Sequence, residues 1–418
     1  MNKFLLFIAV LIPTAFFSQN LEYGKTVIDT LTSSYFSGRG ALDNGEQKAA
    51  EFIAKEFEKQ GLNSYDNNYF QEFLSPINVF PGKIKLEIDG KLLKAGKDYL
   101  VNPTSKGVKG SFDVIWYDSK TIPSEKRLKK LAFRNYFNNK FIIIDDEGVD
   151  KSDPIFRLLK VNYFNAAGII FLKNKLTHSL SKKRNDFASL QILREEIDKS
   201  IEKISININQ KFLGDYKSQN VIGFVKGSEH PDSIIILSAH YDHLGKLGED
   251  VFFPGANDNA SGVALLLDLA YHYTHKYPPT KTVVFIAFGA EEIGLVGSQY
   301  FVQNPPFDLK KINFVFNMDL MGTGSEGAMI VNGKIFENQY KSLTKINEEH
   351  NYLPIIKKRG KAANSDHYWF SENGVPAFFI YLMGGIKAYH DIYDVSETLP
   401  LTKFEDTFRL IRDFVDEL

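Results

Sequence analysis

Four unbroken apolar runs in the C-terminal half, SIIILSAH, TVVFIAFGA, KINFVFNMD and VPAFFIYLM, constrain the fold more than any other feature. A strand with one face in water alternates polar and apolar residues, and these runs do not. They read as strands covered on both faces, as happens when helices pack on either side of a parallel sheet. Stretches with helical character, such as VALLLDLAYHYTH, lie between them. The order predicts an α/β fold with a mixed, mainly parallel sheet. Upstream, GEQKAAEFIAKEFEKQGL places Ala49, Phe52, Ile53, Phe57 and Leu62 near helical spacing, with Gly61 as the stop.

The texture changes across residues 76–203, where short runs (KIKLEIDGK, FDVIWYD, KFIIIDD, AAGIIFLK, SLQILREEI) alternate with polar turns. This stretch predicts a separate, β-rich module inserted into the α/β domain, which resumes with ISININ at Ile204. A length of 418 residues accommodates two or three such units. The charge run SKKRND is a solvated loop with no assigned role.

At the N-terminus, Met1-Asn2-Lys3 precedes FLLFIAVLIPTAFF and then Ser18-Gln19-Asn20. A basic start, an apolar stretch and a polar exit are the pattern of a secretory signal peptide, read here as residues 1–18. Pro13 interrupts the apolar run, which is shorter than the ~20 residues needed to span a bilayer. The expectation is an exported protein, periplasmic or extracellular, with no stable membrane span after signal removal. There is no cysteine, so disulfides are excluded and any metal must be held by His and carboxylates. With 50 basic against 51 acidic residues, the chain also lacks the cationic surplus that nucleic-acid binding requires.

Open α/β sheets bind ligands at the carboxyl ends of their strands. His240 ends the first run, with Asp242 and His243 close behind. Asp258 lies in PGANDNASG just before a helix, where it is either a helix cap, an ion ligand or both; the small residues around it leave room for a bound group. Glu291 and Glu292 end the next run, where a pair of buried carboxylates is costly without a cation. Their side chains point in different directions, which allows one to bind metal and the other to act as a base. Asp319 follows FVF, and Tyr389, His390 and Asp394 follow the last run. Each has an ordinary explanation alone; their convergence on one sheet edge favours a metal site.

The segments HYDHLG, PGANDNASGVA, FGAEEIGLVGS, NMDLMG and YHDIYDV resemble, in order and approximate spacing, five signature segments of the two-zinc aminopeptidase family. That family includes aminopeptidase Y, bacterial leucyl aminopeptidases and glutamate carboxypeptidase. The resemblance covers about residues 21–75 and 204–418. It implies a three-layer α/β/α zinc exopeptidase whose catalytic domain is discontinuous, over 19–75 and 204–418, with two Zn²⁺ per chain. His240 and Asp319 would hold one zinc, Glu292 and His390 the other, and Asp258 would bridge them. Glu291 would act as general base and acid toward a zinc-bridging hydroxide, and the Asp242 carboxylate would accept the second ring N–H of His240. The family further implies a cis peptide after Asp258. SGRG at Ser37–Gly40 and SDH at Ser365–His367 also resemble family segments, so Asp366 and His367 are expected to support the site.

One departure is Asp391, where the family often has Thr or Ser after the last ligand. The module at 76–203 is similar to a protease-associated domain, which would wall the cleft. Phe378, Tyr381 and Met383 are candidates for an apolar first pocket, with sheet core an equal reading for Phe378. The resemblance implies peptide substrates and an aminopeptidase that removes N-terminal residues. A glutaminyl-cyclase-like aminoacyltransferase, a carboxypeptidase that reads a substrate carboxylate (Arg359 is the nearby arginine) and a binding protein on the same scaffold remain as alternatives.

Overall fold

The computed structural model describes residues 21–150 and 152–418; the signal peptide read at 1–18 lies outside the described residues. The main sheet has eight strands: β1 (Phe70–Val79), β2 (Lys211–Val225), β3 (His230–His240), β4 (Lys281–Phe288), β5 (Ile312–Met318), β6 (Ala328–Val331), β7 (Ile356–Lys358) and β8 (Ala377–Leu382). Their spatial order is β1-β2-β4-β3-β5-β8-β6-β7. The central neighbours β4, β3, β5 and β8 are parallel, while β1 with β2, β2 with β4 and β8 with β6 pair antiparallel. The sheet is thus mixed, with its parallel part at the centre, where the unbroken apolar runs lie.

Those runs are buried on both sides. Ile235, Leu237 and Ala239 of β3 face one core with the helices Leu21–Thr32, Gly45–Gln60, Ser261–His275, Glu337–His350 and Phe404–Glu417. Ile234 and Ile236 face the other, with Phe301 and Phe370 from the helices Val296–Gln303 and His367–Glu372. Alternate residues of one strand therefore serve two cores, which is why the strands carry no polar face. The helix Gly45–Gln60 ends at Gly61, in the left-handed conformation (φ 79°) that glycine adopts without a Cβ penalty.

Beyond Val79 the chain builds a second eight-stranded sheet, with helices Glu125–Phe133 and Pro154–Lys160 packed on it. KFIIIDD and AAGIIFLK form parallel neighbours, Lys140–Ile144 and Gly168–Lys173, joined through the second of these helices. ISININ corrects the sequence reading. It forms Lys203–Ile208, which pairs with Lys85–Ile88 and Val108–Tyr117 in the second sheet rather than opening the main one. Its alternating burial marks a strand with one covered face, and that pattern carries no information about which sheet it joins.

The second sheet's core also takes in Leu244, Leu247 and Phe253 from the loop that follows β3. The two sheets are therefore packed together through residues close in sequence to His240 and His243. Among the described residues, no helix is long and apolar enough to cross a membrane.

Candidate metal centre

Parallel pairing brings the ends of four strands to one edge. His240 is level with Phe288, Ser238 with Asn317 and Met318 with Ile380, so the residues following β4, β5 and β8 emerge beside His240. On this edge His240, Asp258, Glu291, Glu292, Asp319, Tyr381, Tyr389 and His390 line one cleft of about 220 Å³, with Phe379, Arg359 and Asn364 at its wall.

The donor distances fall into two kinds. His240 Nε2 lies 3.3 Å from Asp258 Oδ1 and 3.4 Å from Asp319 Oδ1. His390 Nε2 lies 3.1 Å from Asp258 Oδ2 and 3.3 Å from Glu292 Oε2. Zinc bonds of about 2.0–2.1 Å in a tetrahedron place neighbouring donor atoms about 3.3 Å apart. A single Nε2–H cannot aim at two carboxylates at once, and Asp319 Oδ1 has no hydrogen-bond partner. The four separations are those of ligand edges, and Asp258 directs one oxygen to each histidine. The donor set of His and carboxylate fits zinc in a chain without thiolates.

By contrast, His243 Nδ1 is 2.8 Å from Glu292 Oε1, a hydrogen-bond length. His243 therefore orients Glu292, a role the sequence reading did not assign. It sits three residues after His240 within HYDHLG, the one signal that marked it.

Each candidate ligand is held by a neighbour. His240 Nδ1 donates to the backbone carbonyl of Asp242 at 3.1 Å, leaving Nε2 for the cleft. The Asp242 carboxylate was expected to do this but stands 3.8 Å away. It accepts instead from the backbone N–H groups of Glu291 and Glu292 at 3.0 and 3.2 Å, fixing the turn that presents both glutamates. Ser365 Oγ donates to Asp319 Oδ2, and Asn317 in turn donates to Ser365. This leaves Asp319 Oδ1 facing His240.

The peptide bond Asp258–Asn259 is cis, as the resemblance implied. Asp258 does not cap the following helix. Asn259 takes that place, accepting from Gly262 N at 2.9 Å and donating to Met318 O at 3.0 Å, which frees the Asp258 carboxylate. Asp394 accepts from the backbone N–H groups of Asn257 and Asp258 at 2.9 and 3.0 Å, so it supports the turn from behind and does not line the cleft. Arg39 of SGRG is fully buried and donates to the carbonyls of Leu31, Tyr241, Pro254, Gly255 and Asp258. It ties the His240 and Asp258 loops together. Gly255 leaves it room, because a Cβ there would meet Asp258 O at 2.2 Å and Arg39 Nη2 at 2.7 Å.

Electrostatics separate the two glutamates. Burial, reinforced by Glu292, Asp366 and Asp319, holds the Glu291 carboxyl well above its usual range. Burial disfavours a charged His240, yet Asp319, Glu291 and Asp258 outweigh it and push its pKa well up. A site this rich in negative charge attracts cations. Glu291 lines the cleft but makes none of the ligand-edge contacts.

Other expectations resolve as follows. Asp366 is buried and does not line the cleft, although its charge acts on Glu291. His367 is buried against Phe379, its imidazole pushed down to about 3 by burial, and takes no part in the cleft. Tyr389 stacks on His390 at 4.0 Å. Of the apolar-pocket candidates, Tyr381 lines the cleft, Phe378 is sheet core and Met383 is outside. Asp391, the departure from the family pattern, accepts from Tyr389 N and Tyr393 N and so closes the His390 loop on itself.

The sequence pattern of peptidase family M28 matches residues 220–415. Aminopeptidase YwaD of Bacillus subtilis is 32% identical over 222 residues, spanning 50% of this chain and 47% of that protein. The chain thus spans about half the length of that relative and less of the next curated ones. Among solved structures, a zinc aminopeptidase from Bacillus subtilis superposes with a TM-score of 0.72 at 21% identity, over 95% of this chain and 94% of that one. An aminopeptidase from Aneurinibacillus gives 0.66 at 20% identity, over 95% and 93%. These likenesses establish a shared fold. Residues 220–415, the stretch that matches the peptidase family M28 pattern, contain all five candidate ligands and Glu291.

Proposed function

We propose that the chain is an exported metallo-aminopeptidase that holds two zinc ions and removes N-terminal residues from peptides. The observation that carries this reading is the division of Asp258, one oxygen toward each histidine at ligand-edge distance, with Glu291 beside the pair. His240 and Asp319 would hold one metal, His390 and Glu292 the other, and Asp258 both.

Zinc bound there supplies Lewis-acid polarisation of the scissile carbonyl and acidifies water toward neutrality. Glu291 is the group positioned to take the proton of the attacking water and return it to the leaving amine. Its raised pKa favours the return, and the Asp242 carboxylate keeps its backbone in place. Tyr381 and Phe379 offer apolar surface for a first side chain, and Tyr389 covers His390.

The inserted unit, read in the sequence as residues 76–203, is proposed as a protease-associated-like module that walls the cleft and limits substrate size. Export follows from the reading of residues 1–18; N-terminal sequencing of the chain recovered outside the cell should begin near Ser18.

A panel of aminoacyl chromogenic substrates and N-terminally blocked peptides, run with and without a chelator, tests the activity. Cleavage of free-amine substrates only, abolished by the chelator and restored by zinc, is expected. Cleavage of blocked peptides alone would instead favour the carboxypeptidase reading, for which Arg359 at the cleft wall is the group that would grip a carboxylate.

A further inference from the structure

We infer that the second-sheet unit is a working part of the metal centre: its segment from Lys175 to His178 orients His390, and so sets the affinity of the metal position shared by His390 and Glu292. The inference rests on the metal reading above.

Four of the five ligands are fixed by the main unit. His240 ends β3, Glu292 and Asp319 follow β4 and β5, and Asp258 lies in a turn tied by Asp394 and Arg39. His390 is different. It sits in a loop outside any helix or strand, with φ at +52°, a conformation uncommon for a residue with a Cβ.

What fixes it comes from across the interface. The His178 N–H donates to the His390 carbonyl at 2.8 Å, and His390 Nδ1 donates to the His178 carbonyl at 3.1 Å. One residue of the second unit thereby pins both the backbone and the ring of the ligand. The second bond also keeps a proton on Nδ1 and turns Nε2 toward Asp258 and Glu292, so that Nε2 is the nitrogen free to meet a metal.

The segment is itself anchored on the main unit. The buried His178 ring lies flat on Phe253, 4.6 Å away with an 8° interplanar angle. Lys175 Nζ donates to Lys387 O at 3.1 Å and pairs with Asp391 at 3.4 Å. Below them Leu176 shares one apolar core with Leu244, Phe253 and Ile392, neighbours of the metal loops. His178 Nδ1 has no hydrogen-bond partner, and the residue does not line the cleft. Its ring acts by stacking, and its backbone does the positioning.

The test uses the full chain. Zinc stoichiometry and affinity are measured by competition with a chromophoric chelator, and the His390 Nδ1–H hydrogen bond is read from its ¹H and ¹⁵N shifts in metal-free protein. His178→Ala removes the stacking anchor, Lys175→Ala the polar one, and the double variant both. His178→Phe restores a flat ring without nitrogens. The double variant is expected to weaken one zinc equivalent by about 10–100-fold, leave the other unchanged and shift the His390 Nδ1–H signal toward that of a free imidazole N–H. His178→Phe should return both readouts toward the parent.

Two parent-like equivalents with an unchanged His390 Nδ1–H signal in the double variant would overturn the inference. So would parallel weakening of both equivalents, which would indicate general loss of fold. Failure of His178→Phe where His178→Ala is impaired would mean that the imidazole nitrogens act directly. A parent chain that binds no zinc would overturn the metal reading itself, while the metal-free Nδ1–H signal would still report whether His178 orients His390.

Discussion

At Asp258 the two carboxylate oxygens face different histidines because neither is used to cap the helix behind it; Asn259 does that. Adjacent residues with similar chemistry have taken separate tasks, as Glu291 and Glu292 have on the next strand end. Glu291→Gln keeps size and shape but removes the proposed base, so the two proposed metals should remain bound while kcat falls by about 10²–10⁴, checked by metal analysis beside steady-state kinetics. Full activity in a metal-loaded variant would remove Glu291 from the mechanism. Arg39 acts at the same scale through packing. Arg39→Met would remove five hydrogen bonds to carbonyls in a buried place, of which Gly255 O keeps a second donor in Ala260 N. At about 1–3 kcal/mol for each acceptor left without a partner, a loss of about 3 kcal/mol or more is expected, read as a shift in the denaturant midpoint. SGRG marked Arg39 in the sequence, but its five acceptors are scattered over more than two hundred residues of chain, so its task was not readable there.

Strands and helices were legible to different degrees. β3, β4, β5 and β8 follow directly from unbroken apolar runs, since only a strand covered on both faces tolerates them. Gly61 likewise stopped its helix where expected. ISININ was legible as a strand but not as a member of its sheet, because alternation encodes a buried face and not a partner. The turn into helix Ser261–His275 shows a packing constraint with a measurable consequence. A Cβ on Gly262 would lie 2.2 Å from Asn259 Oδ1 and 2.7 Å from Met318 O, in the network that frees Asp258. Gly262→Ala should therefore cost about 1–3 kcal/mol, as overpacking does, and weaken zinc binding as well. Thermal melts with and without added zinc separate the two effects, and an unchanged melt would show that the turn can give way.

The whole molecule adds a dependence on pH that no single motif carries. Burial pushes the His272 imidazole down to about 4 and that of His367 to about 3, from an ordinary value of 6.5. The folded chain keeps both neutral while the unfolded chain protonates them, so their contribution to stability falls as pH drops below about 6.5, against the opposite contribution of Glu46, whose buried carboxyl is pushed up to about 8. The His272 part should level off below about pH 4 and the His367 part below about pH 3. Urea midpoints measured between pH 7 and 4 isolate the His272 part: relative to the parent, His272→Gln should gain stability as pH falls across that range, and a constant difference would assign the effect elsewhere. The sequence by itself determined the central strands, the sheet edge where the candidate site gathers and the segments that carry the candidate ligands, because apolar periodicity and residue type at strand ends are local properties. Only the tertiary structure decided how Asp258 divides its oxygens, that Asp242 supports the glutamate turn, that His243 orients Glu292 and that His178 reaches His390. Those contacts join segments distant in sequence, and their distances arise when two sheets and their loops pack together.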